Sequence, residues 1–305
     1  MTTSLFADEP ESNPERSTRV LIVGAGPVGQ TLDRALSHVG FRVRSWSRSH
    51  GPLWAEGSTQ TAADIVILAV RDDAISQAAE YIVGHGGADA GSVVLHCAGG
   101  RPPSQVLSAI RSQVKGIGLL HPLRSFVHRG ATDELDGSGP RSEHEMIGTV
   151  MAIVGDAAGI AAGQEMCQAL SGVPLLLSED KLPMYHAAAV LAAGHVATLL
   201  DVAIHLLSRV GLARQDGQRA LVELTQSVLR NIEQVGLPHA LTGPVARGDA
   251  LTVASHLDSL NRVSCQVGDL YRVVAESSLD VAYRKGVAED SALAAVGDVL
   301  AARRV

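Results

Sequence analysis

Arg19-Val20-Leu21-Ile22-Val23-Gly24-Ala25-Gly26-Pro27-Val28-Gly29 is the stretch that decides the fold. An apolar, β-branched run enters a GxGxxG turn, and a helical pattern, TLDRALSHVG, follows it; strand, glycines and helix in that order lift the motif above a chance match. Gly24 allows the tight turn, Gly26 lets the backbone approach a pyrophosphate, and Gly29 lets the helix lie close on the strand. Free N–H groups at the positive end of the helix dipole would hold the phosphates. Gly24, Ala25, Gly26, Pro27, Val28 and Gly29 are therefore the expected cofactor loop.

Outward from this turn, short β-rich runs alternate with helical patterns: FRVRSW, DIVILAV, SVVLHCAG and GIGLLHPL, then TVMAIVG, the helical AAGIAAGQEMCQALSG, and VPLLLS. The alternation predicts an α/β Rossmann domain, a doubly wound, mainly parallel sheet, with each strand apolar on both faces because helices cover both sides. Beyond Ser178 strand signals vanish and alanine- and leucine-rich segments take over, so residues 19–178 are expected to form the nucleotide domain and 179–305 an all-α C-terminal domain. No internal repeat is present.

The chain has 305 residues, enough for two cores, and carries a formal net charge of -7 with 3% aromatic residues. Nucleic-acid binding would require a basic stripe and stacking platforms, and both are lacking, so a small-molecule ligand is expected. Cys97, Cys167 and Cys265 have no CxxC spacing and read as reduced thiols filling the core of a cytoplasmic protein. Residues 1–18 are polar and acidic, without the apolar stretch of an export signal, and read as a disordered tail. Ala187 to Leu200 is the most apolar stretch; interrupted by Gly194 and His195 and followed by Asp201 and His205, it reads as a buried helix too short and polar to span a bilayer.

The end of the second strand discriminates between the two nicotinamide dinucleotides. Ser47-Arg48-Ser49 stands there, a guanidinium between two hydroxyls, which suits a ribose 2'-phosphate and predicts NADP(H); the alternative is that Arg48 is a solvated surface charge. Residues closing later strands, Ala69-Val70-Arg71-Asp72, then His96-Cys97-Ala98-Gly99, then His121-Pro122, should line the nicotinamide pocket, with His121 able to reach a carbonyl or carboxamide.

On the substrate side, Asp180 and Pro183 begin a helix. At about 100° per residue, Lys181, Tyr185, Ala188, Ala192 and His195 fall within roughly 80° of arc, while His186 points roughly 140° from Lys181 and reads as a packing, interdomain or subunit contact. Burial would lower the pKa of Lys181 and let its ammonium protonate a developing alkoxide. Its other reading is a snorkelling lysine paired with Asp180 or Glu179. The turn-rich PHALTGPVARGD offers Thr242 and Arg247 for a carboxylate, or an Arg247–Asp249 pair that fixes the loop.

The cofactor loop, HPLRSF, KLPMYHAAAVLAAGH and LTGPVARGD together resemble the Rossmann-like proteins that carry a DUF2520 domain. That resemblance implies a fold relation to ketopantoate reductase, pyrroline-5-carboxylate reductase and 6-phosphogluconate dehydrogenase, whose helical domains commonly dimerise. It also implies that Lys181 is the proton donor and that Thr242 and Arg247 belong to the substrate-side loop. His121 from its strand end, and Tyr185 and His195 from the Lys181 face of the helix, are the further candidates for catalysis and substrate contact. Two positions depart from the pattern: Tyr185 stands where relatives often place an asparagine, and so does His195. The expected function is NADPH-dependent reduction of a small 2-oxo acid, specifically 2-dehydropantoate to pantoate. The alternatives are an imine reductase of the pyrroline-5-carboxylate type and a non-catalytic NADP-binding sensor or scaffold. No membrane or nucleic-acid partner is expected, and the helical domain is expected to form a homodimer.

Overall fold

The computed structural model describes residues 17–54, 61–127 and 146–302. The expected tail therefore lies almost wholly outside the described residues. Seven strands form one sheet: β1 (Arg19–Val23), β2 (Arg42–Trp46), β3 (Ile65–Leu68), β4 (Val93–His96), β5 (Gly116–Pro122), β6 (Val150–Gly155) and β7 (Val173–Leu176). Their order is β2-β1-β3-β4-β5-β6-β7, and all neighbours are parallel except β5 and β6. The chain runs outward from β1 to β2 and then returns to the other side of β1 with β3. That reversal opens a crevice at the carboxyl ends of β1 and β3, the switch point where ligands of such sheets bind.

Alternation of side chains along each strand splits the core in two. Val20, Ile22, Ile65, Ile67 and Leu95 face one way and pack with Leu32 and Leu36 of α1 (Pro27–His38) and Met166 of α4 (Ala157–Ala169). Leu21, Val23, Val66, Leu68 and Val94 face the other way and pack with Ile75 and Ile82 of α2 (Ile75–Gly84) and with Leu107, which follows α3 (Pro103–Val106). The expectation that every strand is covered on both faces fails at the two edges. In β2 Arg42, Arg44 and Ser45 are exposed, and all four residues of β7 are exposed although each is apolar.

The chain divides into two compact units after Ala193 rather than at Ser178. The sheet does end near Ser178, but α5 (Leu182–Ala192) stays with it because Leu182 is buried against Leu119, Ala152 and Val154, beside Leu177 and Tyr185. The second unit contains α6 (Gly194–Arg209), α7 (Arg214–Val235), α8 (Ala250–Val263), α9 (Cys265–Lys285) and α10 (Asp290–Ala302). Val253, Leu257, Ala275, Val296 and Leu300 of the last three helices form its core, while α6 packs on α7.

Two sequence expectations are corrected here. The apolar run through Leu200 is not a buried helix: within α5 only Leu182 is buried and within α6 only Ile204. Nor is it too short and polar for a bilayer by composition, since Glu179–Arg209 contains a window of mean hydropathy 1.8 and the helical run continues past Asp201 and His205. The run is nevertheless broken at Ala193, where φ is -117° and ψ -76°. Cys265 is the second correction: it opens α9 and is exposed, whereas Cys167 is buried as expected.

Candidate active site

The glycine turn forms because β1 must deliver its chain into α1 within three residues. Gly24 holds φ at +127°, and a Cβ there would stand 2.2 Å from the Ala69 carbonyl oxygen. A Cβ on Gly29 would stand 2.3 Å from the Gly24 carbonyl oxygen, so α1 touches the turn it leaves. Above Gly26, by contrast, nothing lies within 4 Å of that position. Backbone is thus packed on the protein side of the loop and bare on the outer side, which is the shape a pyrophosphate needs.

The outer side opens into a cavity of about 650 Å³. Gly24, Ala25 and Gly26, Ser47, Arg48 and Ser49, and Ala69, Val70 and Arg71 all line it. The Ser47 and Ser49 hydroxyls are 2.8 Å apart. Among the described residues Arg48 makes no ion pair, while Arg71 pairs with Asp73. Trp46 and Tyr81 stack at 5.1 Å between centroids and both line this cavity, with Gln77. Sequence reading missed Gln77, Trp46 and Tyr81, because the aromatic pair joins the end of β2 to the middle of α2; Arg71 is among the strand-closing residues the sequence reading expects at the pocket. Pro27 and Val28 belong to the first turn of α1, and Val28 packs against the core. Cys97 and Ala98 also turn toward the cores rather than into this cavity, and burial raises the Cys97 thiol to about 12.

Farther along the same sheet edge a second cluster forms. His121, near the end of β5, places Nδ1 2.8 Å from the Tyr185 hydroxyl of α5. The His121 and His186 rings are 6.1 Å apart at 79°. Two glycines after β4 make this possible: a Cβ on Gly99 would lie 2.9 Å from the His121 ring, and one on Gly100 would lie 2.9 Å from His186 Nδ1. His186 is thus a packing contact of the cluster itself, one of the three readings its helical-wheel position left open. The wheel was counted from Lys181, which sits in a 3₁₀ turn before α5 rather than on the helix.

Lys181 is 66% exposed at its side chain and lies 3.6 Å from Asp180. The burial expected of it is absent within this unit. His195, Thr242 and Arg247 belong to the second unit, where all three are exposed. Asp249 caps α8 through the Thr252 amide at 3.0 Å, which replaces the loop-fixing pair with Arg247 as its main engagement.

The electrostatics of the cluster disfavour charge. His96, fully buried at the end of β4, accepts the Ala98 amide on Nδ1 and leaves Nε2 without a partner; burial and the nearby His121 push its pKa down to about 3. His121 is lowered to about 4 by burial and by His186, with Asp72 acting in the opposite direction. Burial raises the Tyr185 phenol to about 12.

These shifts predict acid sensitivity. Both histidines bind their proton less readily when folded, so the unfolded state gains protons first as pH falls below 6.5. Stability should therefore be complete above pH 6.5 and decline from there toward pH 4 for His121 and pH 3 for His96. At pH 5 the loss is about 2 kcal/mol for each histidine, from about 1.4 kcal/mol per unit. Urea unfolding at pH 7.5 and pH 5 measures this, and His96→Gln should flatten the dependence; an unchanged slope in that variant would remove His96 as a source.

Residues 149–278 match a family model described as a domain of unknown function, DUF2520. No curated protein matches the chain. The fold resembles that of BF3122 from Bacteroides fragilis, provisionally named an NADP oxidoreductase, at 20% identity and a TM-score of 0.65 over 86% of this chain and 97% of that one. Protein TM1727 of Thermotoga maritima is similar at 19% identity and a TM-score of 0.63, covering 87% and 99%. Pyrroline carboxylate reductase of Plasmodium falciparum, solved with NADP bound, gives 12% identity and a TM-score of 0.53, covering 87% and 98%. These are likenesses of a Rossmann-type fold.

Proposed function

We propose that this chain is an NADPH-dependent reductase of a small 2-oxo acid, with 2-dehydropantoate as the specific candidate. The observation that carries the reading is the glycine cradle, closed by backbone on its inner side and opening outward into a cavity that Ser47, Arg48 and Ser49 also line. The bound dinucleotide would supply the hydride. Gly24 to Gly29 hold its pyrophosphate, Arg48 and the two serines take its 2'-phosphate, and His121 and Tyr185 face the reacting end. A cyclic imine of the pyrroline-5-carboxylate type is the second reading, favoured by the fold shared with reductases of that name. Oxidation of NADPH measured against a panel of 2-oxo acids and cyclic imines separates the two; tight binding with no turnover on either would leave a sensor.

Arg48→Ala should weaken NADPH binding by about 10- to 100-fold, the loss of one or two charge-assisted hydrogen bonds, and leave NADH binding nearly unchanged. Titration of nicotinamide fluorescence measures both. Equal effects on the two dinucleotides would return Arg48 to a surface charge.

The protein is also proposed to be a homodimer through the helical unit. Val196 and Leu199 of α6 and Leu224, Val228 and Leu229 of α7 are exposed, and apolar surface repeated along two adjacent helices is costly to leave in water. Light scattering at micromolar concentration should give twice the chain mass; a monomer there would end the proposal.

A further inference from the structure

The cluster of His121, Tyr185 and His186 contains one hydroxyl acid held in a fixed place. We propose that Tyr185 is the proton donor of the reduction, with His121 as the positioning residue that orients it, and that the substrate is a carbonyl compound rather than an imine. This rests on the reductase reading above and deepens it.

Reduction of a C=O group by a reduced nicotinamide forms one C–H bond at carbon and sends the π electron pair to oxygen, which must then take a proton. Here the O–H bond of Tyr185 breaks as the product O–H forms, and solvent reprotonates the tyrosinate. Each turnover consumes one reduced nicotinamide and one solvent proton. Reduction of a cyclic imine also consumes one proton, but its nitrogen is basic enough to take that proton from solvent beforehand, and the resulting iminium needs no donor in the hydride step. A built phenol site therefore favours a carbonyl.

Geometry singles out this phenol. Its oxygen lies 2.8 Å from His121 Nδ1, and the two rings meet edge to face at 89°. Gly99 lies so close under His121 that a methyl group there would strike the imidazole, which fixes the ring from below. His121 is the penultimate residue of β5, three strand spacings from β1, or about 14 Å along the carboxyl edge. That is the direction in which a dinucleotide seated on the glycine cradle extends.

The groups facing the pair are His186 from α5, His96 from β4 and Asp72 from the turn after β3. Burial keeps the phenol protonated until it meets a stronger base, and an alkoxide is one. His121 is neutral at physiological pH and so is not itself the proton source. With its single proton on Nδ1 it donates to the phenol oxygen, leaves the phenolic hydrogen free for the substrate, and steadies the tyrosinate afterwards. Lys181, exposed within its unit and beside Asp180, is offered there neither orientation nor desolvation.

The test uses the full chain and four variants: Tyr185→Phe, His121→Ala, His121→Asn and Lys181→Ala. Each is titrated with NADPH by fluorescence and assayed on the panel of 2-oxo acids and cyclic imines. Tyr185→Phe should bind NADPH within about twofold of wild type yet lose on the order of 10²- to 10⁴-fold in kcat on the oxo acid. His121→Ala should lower kcat with little change in KM, and His121→Asn, whose amide can present an N–H near the position of Nδ1, should recover part of it. Independently of turnover, ¹⁵N-histidine spectra at neutral pH should show the His121 proton on Nδ1, with that signal displaced in Tyr185→Phe.

Full kcat in Tyr185→Phe, a collapse confined to Lys181→Ala, turnover of imines alone, or a His121 proton on Nε2 would each overturn the assignment while the reductase reading stands. NADPH binding without turnover of either class would remove the reductase reading itself, and this role with it.

Discussion

Gly24→Ala should destabilise the nucleotide unit by about 4 kcal/mol and abolish measurable NADPH binding, two effects with one cause. The residue sits at φ +127°, where an L side chain is strained, and its new methyl would stand 2.2 Å from the Ala69 carbonyl oxygen. Strain contributes about 1–3 kcal/mol and overpacking a similar amount. Relief by local movement is blocked, because the Gly24 amide is tied to the Trp46 carbonyl at 2.8 Å and the Ala69 amide to the Val23 carbonyl at 2.8 Å. Urea unfolding reads the stability and fluorescence titration the binding. A variant that keeps both would show that the turn is looser than its contacts imply.

Gly159→Ala is the second large effect, and here two principles oppose each other. Helix propensity alone favours alanine over glycine by about 1 kcal/mol inside α4. Packing opposes it more strongly: the methyl would meet the Ile117 carbonyl oxygen at 2.1 Å, on backbone that β5 holds in the sheet. Asp156 fixes the helix end from both sides, bonding the Gly159 amide at 2.9 Å and the Ile117 amide at 3.0 Å. The helix must lift off the sheet and loosen Ala162 and Met166, so a net loss of about 3 kcal/mol is expected. Gly84, at the end of α2 with nothing within 4 Å of its Cβ position, is the control and should tolerate alanine without loss. Equal unfolding midpoints for the two variants would refute the packing argument.

All seven strands were legible: the five inner ones because a sheet buried on both faces writes itself as continuous apolar runs such as Ile65–Leu68 and Val93–His96, and the edge strands β2 and β7 from their β-rich runs between helical patterns. The glycine loop was legible for a related reason: its requirements are backbone requirements, and only glycine meets them at Gly24 and Gly29. What stayed hidden depends on pairing across long stretches of chain. His121 and Tyr185 are 64 residues apart, and nothing local to either indicates the other. The role of His186 was obscured by a wheel that assumed helix from Lys181 onward, when a 3₁₀ turn rotates the register before α5 begins. Burial of α5 and α6 was misjudged because apolar composition states how much surface must be covered and not which surface covers it.

The exposed strand β7 has one more consequence. Val173 and Leu177 donate their amides to the Thr149 and Ile153 carbonyls of the neighbouring chain segment, so by alternation the amide position of residue 174 points away from the sheet. That residue is Pro174, which has no N–H to offer. An eighth strand approaching this apolar border, from the same molecule or a stranger, would find a missing rung in the ladder. Proline there lets the sheet end in greasy side chains without inviting endless growth.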